Sequence, residues 1–128
     1  LPHPASLPLH NFQAAVASAL KQLAPHQLIS SGGDGFYSGA GSDGKNPDPD
    51  HDRGWFVHEG GEFSRDAAIP AIDVLSYHCH PPDWAPENGF AWQKDFVRRW
   101  VVEHDADAAG VHKPVYLGEF STSGGGWE

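Results

Sequence analysis

The sequence lacks several features that would assign it to a common class of protein. Its 128 residues include only 8 Lys or Arg against 17 Asp or Glu, and no basic run is longer than Arg98-Arg99. A phosphate backbone attracts positive charge, so a net charge of -9 leads us to expect no nucleic-acid partner. No stretch approaches the roughly 18 consecutive apolar residues of a membrane span, so we expect no membrane partner either.

Methionine is absent and Cys79 is the single cysteine. One cysteine forms no internal disulfide, so the redox compartment stays undecided. The first residues, LPHPASLPLH, lack the charged region and apolar run of a secretory signal peptide. What is present, 39% hydrophobic residues and 12% aromatic ones, is enough for a packed core, and the length indicates one domain.

Periodicity predicts alternating helices and strands after a proline-rich start. Residues 1–10 are predicted to be a loop or linker, and residues 11–128 to form β/α units. The predicted elements are a helix over 12–23 capped by Asn11 and stopped by Pro25, a strand over 27–31, a long loop over 37–54, a strand over 69–76, a helix over 90–104 and a strand over 115–120. Helices between apolar strands indicate an α/β fold with a parallel sheet.

Chemically useful side chains follow each predicted strand, at the end where parallel α/β sheets carry their chemistry. Asp34 and Phe36 follow the first strand, His78 and His80 the second, and Glu119 the third. Side chains alternate along a strand, so the two histidines should point to the same side. They could bind a metal ion together with a carboxylate, orient a catalytic carboxylate, or simply be hydrogen-bonded at a strand end.

Glu119 ends the apolar run KPVYLGEF, where a buried carboxylate is costly unless it is paired or hydrogen-bonded. Its position after Gly118 suits a nucleophile or a general acid/base, and a plain ion pair is the alternative. Trp84 is placed to stack on a sugar or a base, or only to pack within its loop. The long loop lacks the spacing of a calcium-binding loop, which favours a solvated acidic segment for Asp43, Asp48, Asp50 and Asp52.

Three ordered motifs resemble the second half of the glycoside hydrolase family 5 catalytic domain, most of all its fungal and plant endo-β-1,4-mannanases. HQLISSGGDGF is similar to the fifth strand and its turn, IPAIDVLSYHCHPPDW to the sixth strand, and HKPVYLGEF to the seventh. The resemblance implies a partial (β/α)8 barrel, roughly strands 5 to 7 of a fold of about 250 residues. We therefore expect the chain to be a fragment of one catalytic domain.

The resemblance also implies a role for each residue at a strand end. Glu119 would be the nucleophile of a retaining mechanism, and His78 the active-site histidine of the sixth strand. Trp84 would border the glycan cleft, and Asp34 and Phe36 would help to line the positive subsites. The substrate implied is β-mannan or a related polysaccharide, the enzyme is expected to be extracellular, and no metal or organic cofactor is implied.

The chain departs from the family pattern in three ways. His80 stands where the family has a tyrosine that hydrogen-bonds the nucleophile, although an imidazole could also donate to Glu119. The Asp34-Gly35 turn lacks the family's glutamate, and the Asn-Glu-Pro motif of the general acid/base does not occur in the sequence. We expect the isolated chain to be inactive, and to associate with itself or with the missing barrel half through its uncovered strand edges.

Three other functions stay open at this point. A metal-dependent hydrolase would use His78, His80 and Glu119 as ligands. A non-catalytic pseudoenzyme would bind glycan through Trp84 and Trp127 without turnover. A different β-glycanase of the same clan is the third, because loops rather than strands set the choice of substrate.

Overall fold

The structure, a computed structural model, describes residues 6–38, 44–47 and 60–121. Among these, β1 and β2 pair in parallel, with α3 and α4 between them in the chain, so the predicted α/β class and parallel sheet are confirmed. Most of the predicted long loop, its four aspartates and Trp127 lie outside the described residues. The elements are α1 (Ser6–Leu23), α2 (Phe63–Asp66), β1 (Leu75–Cys79), α3 (Pro81–Trp84), α4 (Phe90–Gly110) and β2 (Val115–Phe120).

Helix α1 begins at Ser6 rather than near Asn11, so the predicted loop over residues 1–10 extends too far. Pro8 lies in the first turn, where the backbone N–H groups have no partner within the helix and proline is tolerated. The helix ends at Leu23, just before Pro25, as predicted.

The first two strands are shorter than the sequence predicts. Within residues 27–31 only Ser30 makes a strand-like bridge, to Val74, because the Asp73 carboxylate accepts the Ile29 N–H at 2.8 Å in place of a neighbouring strand. The second strand begins at Leu75 instead of residue 69, since residues 69–72 form a turn in which the Ile72 N–H donates to the Ile69 carbonyl at 3.1 Å. The third strand, Val115–Phe120, has the predicted bounds.

Helix α4 supplies the centre of the core. Phe96, Trp100, His104 and Ala108 recur every fourth residue, which places them on one face of the helix, and all four are buried. The helix continues to Gly110, past the predicted end at His104, over an alanine-rich turn that favours helix. No helix in the described part of the chain combines the length and apolar content that crossing a bilayer requires.

Candidate active site at the carboxyl ends of the strands

The parallel pairing of β1 with β2 brings strand-end side chains together. The register places His78 opposite Glu119. His78 Nε2 lies 3.8 Å from one oxygen of the Glu119 carboxylate, and His80 Nε2 lies 3.5 Å from the other. Both histidines therefore lie on the same side of β1 and face one carboxylate, as strand alternation predicts.

Gly118 determines where Glu119 is placed. Tyr77 pairs with Leu117, and the next pair, His78 with Glu119, leaves Gly118 without an opposite residue. A Cβ atom at position 118 would lie only 3.3 Å from Cδ2 and Nε2 of His78. Glycine thus lets β2 accommodate one extra residue while its backbone stays against the imidazole ring.

His78 is held from three directions. Its backbone N–H donates to the Asp34 carbonyl at 3.0 Å, and its own carbonyl accepts from Trp100 Nε1 at 2.7 Å. Its ring Nδ1 lies 2.6 Å from the Asp34 carboxylate. An ionised carboxylate only accepts hydrogen bonds, so Nδ1 carries a proton, and in the neutral tautomer that results Nε2 is the unprotonated atom on the side of Glu119.

His80 is oriented by a second chain of hydrogen bonds. Its Nδ1 lies 3.1 Å from Ser121 Oγ, and that hydroxyl donates to the Asp83 carboxylate at 3.0 Å. Because Ser121 uses its proton on Asp83, it accepts from Nδ1, so neutral His80 also aims an unprotonated Nε2 at Glu119. With this tautomer, donation from Nε2 to Glu119 in place of the family tyrosine requires the doubly protonated ring, and it stays a prediction.

Sequence reasoning does not single out Ser121 and Asp83. Ser121 is the first residue after β2, and its N–H donates to the Cys79 carbonyl at 3.0 Å. Asp83 lies in α3, directly after β1. Both follow the carboxyl end of a strand, which is the same signal that identifies Glu119, so that criterion applied to every polar residue would have found them.

Two aromatic residues of the predicted subsites differ in accessibility. Phe36 is only 3% exposed, and its ring lies 4.9 Å from Trp84. Trp84 is half-buried and meets His80 edge to face at 5.6 Å. Phe36 packs against Trp84 and is almost wholly covered in this chain, while its role in lining a subsite stays a prediction.

Glu119 is not buried in this chain. Its side chain is 64% exposed, although the apolar run KPVYLGEF predicts a buried strand. Within the described residues β2 has one strand neighbour, β1, so most of its side chains remain accessible. The cost of burying a carboxylate therefore does not arise here, and Glu119 is open to a ligand.

A buried histidine of α4 supports the turn that carries Asp34. His104 is 0% exposed, its ring stacks on Tyr77 at 4.3 Å, and its two nitrogens lie 2.7 Å from the Trp100 carbonyl and 2.8 Å from that of Gly35. Burial lowers the pKa of His104, against the smaller opposing effect of the two carbonyls. A Cβ atom at Gly35 would lie 2.6 Å from the ring, so the turn needs glycine there.

A metal ion could also be held at this site. His78, His80 and Glu119 each offer one ligand atom, and these three atoms lie within 4.8 Å of one another. Imidazole nitrogens with one carboxylate oxygen form a donor set suited to zinc.

These features define a class of protein. Parallel strands joined by helices, with a carboxylate and histidines at their carboxyl ends, are the arrangement of β/α-barrel enzymes, whose active sites lie on that face of the sheet. The described elements correspond to a few of the β/α units of such a barrel.

Comparison with known proteins indicates which β/α-barrel enzymes the chain resembles. No family model matches the chain. Over 109 residues the sequence is 34% identical to mannan endo-1,4-β-mannosidase 7 of Arabidopsis thaliana, covering 84% of this chain and 24% of the relative. Over 115 residues it is 29% identical to probable mannan endo-1,4-β-mannosidase A of Aspergillus oryzae, covering 90% of this chain and 26% of the relative. The resemblance to endo-β-1,4-mannanases is confirmed, and the chain spans about a quarter of the length of these relatives.

Solved structures agree on the fold. The chain superposes on the endo-β-1,4-mannanase of Thermotoga petrophila with a TM-score of 0.73 at 23% identity, over 94% of this chain and 26% of that one. The endo-1,4-β-mannanase of Rhizomucor miehei gives a TM-score of 0.72 at 21% identity, over 92% and 30%. The predicted partial barrel is confirmed by this match.

Proposed function

We propose that this chain is the part of a retaining endo-β-1,4-mannanase that carries the nucleophile, Glu119. The supporting observation is the position of this carboxylate: it lies at the carboxyl end of β2, exposed, and opposite His78 in a chain that resembles mannan endo-mannosidases. In a retaining mechanism the carboxylate attacks the anomeric carbon, and water then hydrolyses the covalent glycosyl-enzyme. The proposed substrate is β-mannan.

The neighbouring side chains suit this role. Asp34 fixes the ring of His78 through a hydrogen bond of 2.6 Å, so the imidazole stays beside the attacking oxygen. Half-buried Trp84 is proposed to border the glycan cleft, where an indole face stacks on a pyranose ring. A tilted contact with Phe36 and an edge-to-face contact with His80 hold the ring in place.

The proposed mechanism needs a second carboxylate outside the motifs present here. A retaining glycosidase places its general acid/base about 5–5.5 Å from the nucleophile, on the opposite side of the scissile bond. We propose that the rest of a barrel supplies it, that the 128 residues alone are inactive, and that the exposed faces otherwise join a second copy of the chain. Secretion belongs to the proposal and rests on the resemblance alone.

A chimera tests the proposal in a complete barrel. The segment of the Arabidopsis relative that matches this chain over 109 residues would be replaced by the corresponding residues here. Reducing-sugar release from galactomannan is expected from the chimera, and Glu119→Gln should lower it by roughly 10⁴-fold because covalent attack is lost.

A matched control separates chemistry from folding. Glu87→Gln removes a second exposed carboxylate, one that lies in the loop after α3, and should leave the rate unchanged. Azide added to a Glu119→Ala chimera should restore turnover of an activated aryl mannoside, since a small anion can occupy the space of the missing carboxylate. A Glu119→Gln chimera with unchanged turnover would refute the proposal.

A further inference from the structure

We propose that His78, His80 and Glu119 form a binding site for a zinc-like divalent cation. The proposal goes beyond the glycosidase function and rests on the geometry of the three side chains and on the hydrogen bonds that orient the two rings. The ion would coordinate Nε2 of each imidazole and one oxygen of Glu119, with the remaining positions open to water.

The hydrogen bonds behind the two rings leave both Nε2 atoms ready to coordinate. Asp34 accepts from Nδ1 of His78, and Ser121 accepts from Nδ1 of His80, because the serine proton is donated to Asp83. In these tautomers two nitrogen lone pairs face the same carboxylate. Such an arrangement is repulsive without a cation and attractive with one.

The same bonds provide what metal-binding histidines require from their surroundings. A ligating imidazole almost always donates its other N–H to a carboxylate or another oxygen, which fixes the tautomer and the ring orientation. Here Asp34 accepts from Nδ1 of His78. Ser121 accepts from Nδ1 of His80 and donates its own proton to Asp83. The supporting partners of the site are therefore already in place.

The distances fit a small divalent ion. Tetrahedral zinc with ligands at about 2.0–2.1 Å separates its donor atoms by about 3.3–3.4 Å. The three donor atoms lie within 4.8 Å of one another, so the side chains need to close by up to about 1.4 Å to reach that spacing. His80 and Glu119 are both accessible enough for a ring rotation or a rotamer change to achieve this, since their side chains are 23% and 64% exposed.

The donor set also selects among ions. Imidazole favours zinc, copper and nickel, whereas magnesium and calcium prefer sites made of oxygen atoms alone. A site with two nitrogen donors and one carboxylate should bind zinc, and magnesium should not compete at equal concentration.

Isothermal titration of the 128-residue chain with zinc chloride tests the site. One saturable zinc per chain is expected. Loss of a hydrogen-bond partner of a metal ligand typically lowers metal affinity by roughly 10- to 100-fold. His80→Tyr and Glu119→Gln each remove a ligand itself, so each should lower the zinc affinity by more than that. Asp34→Asn, which alters such a partner, should lower it within that range.

His26→Gln is the matched control, because His26 is exposed in the loop after α1 and far along the chain from the three ligands. It should bind zinc with unchanged affinity. Far-UV circular dichroism confirms that each variant stays folded, and Glu119→Gln keeps the test valid if His80→Tyr does not fold. No saturable binding by the wild-type chain, or wild-type zinc affinity in both His80→Tyr and Glu119→Gln, would overturn the proposal.

The outcome is separable from that of the proposed glycosidase function. In the chimera, bound zinc would occupy the carboxylate that attacks the sugar, so micromolar zinc should inhibit and a chelator should restore activity. A chain that binds zinc while its chimera never cleaves mannan would support the metal site and refute the nucleophile. An active chimera, together with a 128-residue chain that binds no zinc, would support the nucleophile and refute the metal site.

Discussion

The two strands of the sheet differ sharply in their surroundings. In β1, Leu75 and Tyr77 are 2% and 5% exposed, because both belong to the core cluster and the ring of His104 on α4 stacks on Tyr77. In β2, Tyr116 is 46% exposed and Phe120 is 72% exposed. Both strands are apolar in sequence, so composition does not make the difference. What differs is how much of the chain packs around each strand. Within the described residues, β2 has an open side that a further strand of a barrel would cover.

Helix α1 shows the same contrast with α4. The apolar face of α4 is buried around Trp100, whereas Phe12 and Leu23 of α1 are 64% and 83% exposed. Exposed apolar area of this kind marks a surface on which other protein segments pack. The chain thus has one completed core and two faces that remain open, and the following changes distinguish these regions.

The largest effect is expected from removing the centre of the core. Trp100 is 0% exposed, so Trp100→Ala should lower the free energy of unfolding by about 3–5 kcal/mol through lost burial and a cavity. Phe120→Ala, on the open strand, should change it by less than about 0.5 kcal/mol. Urea denaturation followed by circular dichroism measures both, and equal losses would contradict the distinction between the two regions.

A smaller effect is expected at the start of β2. Lys113 Nζ donates to the Ala67 carbonyl at 2.7 Å and to the Ile69 carbonyl at 2.6 Å, and burial lowers the pKa of Lys113. Lys113→Met leaves both carbonyls without this donor and should cost about 1–3 kcal/mol in the same denaturation experiment. Lys94→Met, at an exposed position of α4, is the control and should cost nothing measurable.

Acid should weaken the core through His104. Burial lowers the pKa of His104 below its unfolded value of 6.5, so the unfolded chain binds the proton more readily. The stabilisation is complete above about pH 6.5 and is lost as the pH falls towards the folded pKa, by up to about 1.4 kcal/mol per pH unit. The difference between wild type and His104→Gln should show this slope, whereas His26→Gln should keep the wild-type pH dependence. A His104→Gln variant with the wild-type slope would contradict the assignment.

The last change concerns association between chains rather than the stability of one chain. Phe120→Lys places a charge on the open strand and should weaken self-association by at least about tenfold, because burying a phenylalanine contributes about 1.5–3 kcal/mol. Val102→Lys is the matched control, because Val102 is 62% exposed on the outer side of α4. Sedimentation velocity measures both. A monodisperse wild-type monomer would show that the open faces do not drive association.

The sequence predicts more of the architecture than of the details of the site. The bounds of β2, the end of α1 at Leu23 and the parallel pairing all follow from apolar runs punctuated by Pro and Gly. The short bridge at Ser30 does not, because a side chain, Asp73, takes the hydrogen bond that a strand would need. That competition depends on a residue distant in sequence, which local periodicity does not register.

At the site, spacing alone predicts that His78 and His80 share a side and that Glu119 lies nearby. Their tautomers could not be predicted, because these depend on Asp34 and Ser121, which the fold brings in from other segments. The exposure of Glu119 was also missed, since an apolar sequence does not reveal whether a neighbouring strand is present to cover it.

Trapping a covalent intermediate in the complete chimeric barrel tests directly whether Glu119 is the nucleophile. A 2-deoxy-2-fluoro-mannosyl fluoride should form a stable covalent sugar ester, and peptide mass spectrometry would locate it. The adduct is expected on Glu119, within the tryptic peptide that begins at Trp100, because Pro114 protects the bond after Lys113 from cleavage. An active chimera labelled on any other carboxylate, with Glu119 unmodified, would contradict it.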